Sequence, residues 1–596
     1  MRGALGRPVR AAGRRIREDL RADPYLLYIL LLATVLAYFW IWHRLPNFAT
    51  RDERWRVVDP VETAAYLGEE LSLDSLRQSF TGWRNYGATF YVAAFALVPV
   101  AVAVLATDQV GSFLDMGRHR FVWDNDVWYW EQWRRTPGWI WTASVLPVRL
   151  VNASLAVASV YVMYRIGTTM RDRAAGRLAA LLLTVTWGVL VLAHEAGEDL
   201  PAMFFTLLAF YFALRYVESG RTRTYYWGCV AGALGIGMKL SAGVSVIVLG
   251  VAFFIRAKRE HERIHHRYVR PLFLLGGVGI GVGVIWISYP SVLVEFDPQA
   301  LSDRISRGSR GKDSPHGWRV KPSWWWILRG YLHGLGLPLF VAGVASSLGS
   351  LTLLRERSPA ADGVRLAAVG IGSLLALVSP WAYVRMHHLL LSFPFVIVLV
   401  TAVLFRIRDR RPPLGRALMA VLLITSGVYA IGGDLAYASQ PRDQATQFIA
   451  DRATPNTTVE TYLGDPQEAA VPHDIDISRG PRGTIDRRCP DYIVLSYHEE
   501  IVALAPDSWS KRARTVGNER TEQFYRDLLA EDTYPYEVAK RFGRQPRFLE
   551  GMDRRSTWRE LLHVGLRPRT HQYGDPQDFG EDQYTVVLRA TDDCGQ

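Results

Sequence analysis

Ionisable residues beside long apolar runs are costly to keep there and therefore mark function, and three such groups stand out in this chain. The first is Arg51-Asp52-Glu53-Arg54-Trp55, followed by Asp59 and Glu62, directly after the first apolar run. A carboxylate flanked by arginines and an aromatic suits a general base that deprotonates an acceptor hydroxyl, with Arg51 and Arg54 holding an anionic substrate. A solvated charged loop is the plainer alternative. The second is His194-Glu195-Ala196-Gly197-Glu198-Asp199, between two apolar runs, where His194, Glu198 and above all Asp199 are site candidates and an interfacial span end is the alternative. The third gathers Lys239 with Arg385, His387 and His388, a cation set of the kind a lipid-linked phosphate needs. For Lys239 the alternative is snorkelling from a helix end. The histidines and carboxylates leave room for a divalent cation, although no spacing is diagnostic of one.

The elements that must position these groups are apolar spans of about 20 residues. They read at Tyr25–Trp42, Ala88–Ala106, Ile140–Tyr164, Leu178–His194, Ala202–Tyr216, Trp227–Ile255, Pro271–Ser288, Trp326–Leu348, Val364–Tyr383, Leu389–Phe405 and Ala417–Ile431. Trp227–Ile255 is too long for one span and short for two. Two helices meeting at Gly237-Met238-Lys239-Leu240-Ser241 resolve this, because broken helices are tolerated where they line a polar cavity. Ala88–Tyr164 is expected to hold one more crossing or a re-entrant piece, with Phe121–Trp141 interfacial.

Basic clusters fix the expected topology. Arg2, Arg7, Arg10, Arg14, Arg15, Arg17 and Arg21 precede the first span, which places the N-terminus in the cytoplasm and makes the first span an uncleaved anchor. Clusters at Arg165–Arg177, Arg221–Arg223, Arg256–Arg270, Arg355–Arg357 and Arg406–Arg416 mark further cytoplasmic turns. The three site groups and the whole tail then fall on the outer side of a multi-pass plasma-membrane protein. The tail, 438–596, alternates helical and strand-like segments and is expected to form a small α/β extracytoplasmic domain after a membrane part, 1–437.

The net charge of +12 over 596 residues sits largely in the topology clusters, and no basic stripe with interleaved aromatics occurs in the tail, which argues against nucleic acid. Three cysteines are too few for a disulfide scaffold or a thiolate zinc cluster. Cys489 and Cys594 lie in the tail, where a disulfide and two free thiols are both compatible with the sequence.

Taken in order, these pieces resemble a GT-C glycosyltransferase of the family-39 type, the group of protein O-mannosyltransferases and lipid A aminoarabinose transferases. The resemblance rests on Asp52-Glu53 in the first loop, Asp199-Leu200-Pro201, Gly237-Met238-Lys239, Pro322-Ser323-Trp324-Trp325 and Arg385–Pro394. It implies a GT-C fold of roughly 11–13 spans and inverting transfer of a sugar from a polyprenyl- or dolichyl-phosphate donor to a protein, lipid or glycan acceptor. No cofactor is then obligatory. Asp52 would be the base, Asp199 a second acidic residue, and Lys239 and Arg385 phosphate contacts. The chain departs from the pattern at Arg54-Trp55, where relatives often carry Tyr, and in an extra segment, Asp108–Pro137.

Two other classes compete. A secondary transporter also has broken helices and intramembrane charges, but it usually shows matching halves, and no corresponding interruption occurs in both halves of this chain. A non-catalytic membrane scaffold presenting the tail leaves Asp52, Asp199 and Lys239 without a reason to share one side.

Overall fold

The computed structural model describes residues 2–80, 87–117, 126–259, 271–295, 322–462, 469–478, 480–496, 519–545, 558–570 and 583–594, with isolated positions 299, 302, 306 and 499. The start of the expected interfacial piece 121–141 therefore lies outside the described residues. The chain is a helical, multi-pass membrane protein. Among the described residues nine helices are long and apolar enough to cross a membrane, or up to eleven with each of two bent pairs counted as one span.

In chain order the helices of the membrane part are α1 (Arg2–Ala22), α2 (Pro24–Tyr38), α3 (Arg51–Glu69), α4 (Leu73–Phe80), α5 (Thr89–Ala106), α6 (Val110–Asp115), α7 (Asp126–Arg135), α8 (Gly138–Met170), α9 (Arg173–Thr184), α10 (Trp187–Ala193), α11 (Asp199–Ser219), α12 (Thr222–Met238), α13 (Val244–Arg259), α14 (Pro271–Ser288), α15 (Pro290–Glu295), α16 (Ser323–Ser350), α17 (Pro359–Val378), α18 (Met386–Leu389), α19 (Phe393–Arg410) and α20 (Pro412–Tyr437). α1 meets α2 at 112°.

The bundle has two chemically distinct ends. At the basic end Arg165 binds Asp19, Arg177 binds Asp23 and Arg171 binds Asp409 at 2.6 Å. At the opposite, acidic end lie the turns 39–50, 194–198 and 239–243. The break expected within Trp227–Ile255 is there: α12 ends at Met238, Lys239 adopts extended backbone, and a 3-10 turn, Leu240–Gly243, leads into α13.

The expected span Ala88–Ala106 forms a helix, α5, one of the nine long and apolar enough to cross a membrane. Its start is pinned to the acidic end, where the Ala88 amide donates to the Gly237 carbonyl at 2.9 Å and the Tyr91 hydroxyl to the Ile287 carbonyl at 3.0 Å. Just past its other end, Gln109 accepts from the Trp139 indole N–H at 2.9 Å, at the start of α8. α8 reaches the acidic turns only at Arg149 and Asn152, so its first turns project beyond them. Gly87 allows the approach: its φ is +61°, and a Cβ there would collide with the Gly237 carbonyl.

The tail begins with α21 (Pro441–Ala450) and continues as β1 (Thr458–Thr461), β2 (Asp476–Ser478), α22 (Ile485–Arg488), β3 (Tyr492–Ser496), α23 (Glu519–Ala530), β4 (Tyr536–Phe542), α24 (Trp558–Leu566) and β5 (Thr585–Ala590). The strands form one sheet in the order β2-β1-β3-β5-β4, parallel on the β1 side and antiparallel around β5. Cys489 and Cys594 are joined by a disulfide. The tail does not stand apart from the bundle: Val459, Val494 and Val587 of the sheet share one buried apolar cluster with Phe48, Val57 and Trp141.

Candidate active site

α3 starts at Thr50, whose hydroxyl accepts from the Glu53 amide at 3.2 Å. This cap places Asp52 and Glu53 in the first turn, where the helix dipole favours negative charge. The two neighbouring carboxylates then part ways. Asp52 is half-buried and lines a small cleft with Thr50, Glu195, Glu198 and Asp199. Glu53 points inward and is completely enclosed: Arg149 grips it at 2.7 Å through both Nε and Nη2, and the amides of Ala49 and Ala196 donate to it at 2.6 and 2.9 Å. Both partners of this pair have 0% exposed side chains. Arg149 also donates to the carbonyls of Ile41 and His43, each at 2.8 Å. One guanidinium thus ties the 39–50 turn, the start of α3 and the 194–198 loop to α8. Glu53, expected as a catalytic candidate, has its carboxylate oxygens occupied by four donors.

The 194–198 loop is held from below by Asn152, whose side-chain amide donates to the carbonyls of Glu195 at 2.5 Å and Gly197 at 3.1 Å. Each remaining acid of the cleft has its own environment. Glu198 binds Arg56, with Nε at 2.9 Å. Burial pushes its carboxyl up, but the Arg56 guanidinium and then the Lys239 ammonium outweigh that and hold it below the usual range. Asp199, first residue of α11, forms an ion pair with Lys239 at the broken-helix turn. Glu195 accepts from the Thr50 hydroxyl at 3.4 Å; burial, and then the negative charge of Glu53, push its carboxyl well above the usual range. Asp52 has no hydrogen-bond or ion-pair partner among the described residues.

His194, expected to contact substrate, does not line the cleft. It is fully buried and lies 2.7 Å from the Leu190 carbonyl and 2.6 Å from the Phe39 carbonyl, with its ring stacked on Tyr437 at 4.2 Å. Arg54 lies buried over Trp55, 4.2 Å from the ring centroid. Arg51 opens α3, and its side chain is outside the described residues.

The Arg385 group sits on the neighbouring side of α11. The 3-10 turn Leu390–Ser392, which follows α18, packs against α11. Arg385 lies over the Tyr383 ring, its amide donates to His388 Nδ1 at 3.0 Å, and the rings of His387 and His388 are 4.2 Å apart. Four residues of this end were absent from the expected set: Arg149, Glu195, Arg56 and Arg329. Arg329 is buried on α16 within 6 Å of the Trp325 and Trp326 rings, beside Gly330, whose added Cβ would lie 3.6 Å from the Arg385 carbonyl oxygen. Arg149 and Arg329 each interrupt an apolar run, and that was a readable signal. Among the described residues no group of three or more His, Cys, Asp or Glu side chains is arranged to hold a metal ion.

Residues 140–286 match the family of dolichyl-phosphate-mannose-protein mannosyltransferases. That stretch carries Arg149, Glu195, Glu198, Asp199 and Lys239 and supports the GT-C resemblance. No curated protein matches the chain. Similar solved structures include ArnT from Cupriavidus metallidurans bound to undecaprenyl phosphate, with 13% identity over 82% of this chain and 95% of that one and a TM-score of 0.47. The apo Archaeoglobus fulgidus oligosaccharyltransferase is 11% identical over 85% of this chain and 73% of that one, with a TM-score of 0.43. The archaeal oligosaccharyltransferase AglB from the same organism, solved with an inhibitory peptide and a dolichol-phosphate, gives 12%, 81%, 70% and 0.42.

Proposed function

We propose that this protein is an inverting GT-C glycosyltransferase that moves a sugar from a polyprenyl- or dolichyl-phosphate donor to a hydroxyl acceptor, with the acidic end of the bundle on the outer face of the plasma membrane. The observation that carries the reading is the contrast within the cleft. Glu53, Glu198 and Asp199 are each matched by a cation, whereas Asp52 faces the cleft with no partner among the described residues.

In this scheme an Asp52 carboxylate oxygen accepts the acceptor's hydroxyl proton as that oxygen attacks the anomeric carbon. The bond from that carbon to the phosphate oxygen breaks, and the lipid phosphate leaves with the electron pair. Lys239 and Arg385 meet its developing charge as fixed cations in a low-dielectric site, which makes a metal ion optional. Asp199 holds Lys239 in place. Glu53 is a positioning residue that fixes the first turn of α3 through Arg149.

The test is the purified full-length chain in proteoliposomes with a radiolabelled polyprenyl-phosphate sugar and membrane extract as acceptor source. The expected result is labelled acceptor formed in step with free polyprenyl phosphate. Flux of a soluble solute across the vesicle with no such transfer would replace the reading with a transporter.

A further inference from the structure

The tail segment from α24 to Thr570 lies in a groove between α16 and α20, and its contacts advance in register with α20. The Tyr429 hydroxyl is 3.1 Å from the Val564 carbonyl, an added Cβ at Gly432 would lie 3.8 Å from Pro568, and the Tyr437 hydroxyl is 3.3 Å from the Thr570 carbonyl. From α10 the Trp187 indole N–H donates to the Arg569 carbonyl at 3.0 Å. On the α16 side, a Cβ at Gly565 would sit 2.9 Å from Leu332, next to the bend at Gly336. Leu561 belongs to the buried apolar core of the bundle itself.

That docking uses only part of the helix's apolar surface. At about 3.6 residues per turn, Leu561, Val564 and Gly565 face the groove, and Trp558, Leu562 and Leu566 form an adjoining stripe. Arg559, Glu560, His563 and Arg567 fall on the remaining arc. The stripe is open, with exposures of 70%, 46% and 61% for its three side chains. The two helices that flank the groove also carry exposed apolar side chains, including Val428, Ile431 and Leu435 of α20 and Val341 and Val344 of α16. The charges of Arg569, Arg567, Arg544 and Arg559 all act on His563, and Arg559 and Arg567 lie beside the stripe in the chain. An amphipathic helix with an apolar stripe bordered by cations lies at the boundary between headgroups and acyl chains.

We infer that α24 is an interfacial helix: the bilayer covers Trp558, Leu562 and Leu566 while the opposite edge of the helix is wedged between α16 and α20. The tail is therefore a clamp anchored in the membrane at the site end of the bundle. The boundary drawn at 437/438 from composition then separates two sequence regimes, with membrane-embedded structure on both sides of it.

The test places the fluorophore NBD at single introduced cysteines in the full-length chain, with Cys229→Ser and the native disulfide kept, reconstituted in phosphatidylcholine vesicles with or without doxyl-labelled lipid. Probes at Leu562 and Leu566 are expected to lose most of their fluorescence to doxyl lipid and to resist soluble iodide. Probes at Arg559, on the same helix, and at Arg526, on α23, are expected to respond to iodide. Iodide quenching at 562 and 566 equal to that at 526 would overturn the proposal, as would protection from both quenchers, which would mean that another part of the chain covers the stripe. The two stripe positions are read independently, so misfolding of one labelled variant leaves the other decisive.

Discussion

Replacing Glu53 with Gln changes one atom and should damage the fold rather than the chemistry alone. The Glu53 oxygens face four donors: Oε1 takes Arg149 Nε and the Ala196 amide, and Oε2 takes Arg149 Nη2 and the Ala49 amide. A Gln amide supplies one oxygen, so whichever way it turns, one guanidinium N–H and one backbone N–H face an NH2 group. Each such buried donor costs about 1–3 kcal/mol, and stranding one member of a buried ion pair costs about 3–5 kcal/mol; the two figures describe overlapping losses. A net loss of about 3–5 kcal/mol is expected, a large part of the roughly 5–15 kcal/mol that holds a typical folded protein together. The measurement is thermal unfolding of purified protein in nanodiscs, with Asp52→Asn measured beside it. Glu53→Gln should melt well below the wild type and Asp52→Asn close to it. A Glu53→Gln protein that melts with the wild type would refute the positioning role.

Further outcomes follow from the same end of the bundle and from the tail. Glu195 has its carboxyl raised by burial and by Glu53, so the stability tied to its protonated form is present at low pH and lost as pH rises through the raised value. Glu195→Gln should therefore flatten the fall of the melting temperature from mildly acidic to mildly alkaline buffer, and an unchanged slope would count against it. Glu198 is shifted the other way, so its contribution is present at neutral pH and lost as pH falls through the lowered value. Glu198→Gln should destabilise at neutral pH and lose that effect in acid, again read from melting against pH. The disulfide closes a loop with a sequence separation of 105, so Cys489→Ser should cost the tail about 2–5 kcal/mol. Limited proteolysis of the tail in the full-length chain reads this, and an unchanged cleavage rate would contradict it.

What the sequence made legible was whatever depends on local composition. Long apolar runs revealed the spans, Lys239 inside one such run revealed the break between α12 and α13, and the alternation of helical and strand-like segments after 438 matched a tail of mixed helices and strands. Pairings across the chain were not legible. Arg149 and Glu53 are 96 residues apart, Arg56 and Glu198 142, and nothing in either neighbourhood names the other. The enclosure of Glu53 beside an open Asp52 follows from the cap at Thr50 and the direction of the first turn of α3, which adjacent acids in a sequence do not reveal.

The central claim is that Asp52 is the base of a transferase whose other acids are matched or buried. Transfer from polyprenyl-phosphate sugar by Asp52→Asn, in proteoliposomes and with folding verified by its melting temperature, tests it most directly. Loss of transfer by a normally folded protein is predicted, while transfer at the wild-type rate would contradict the account.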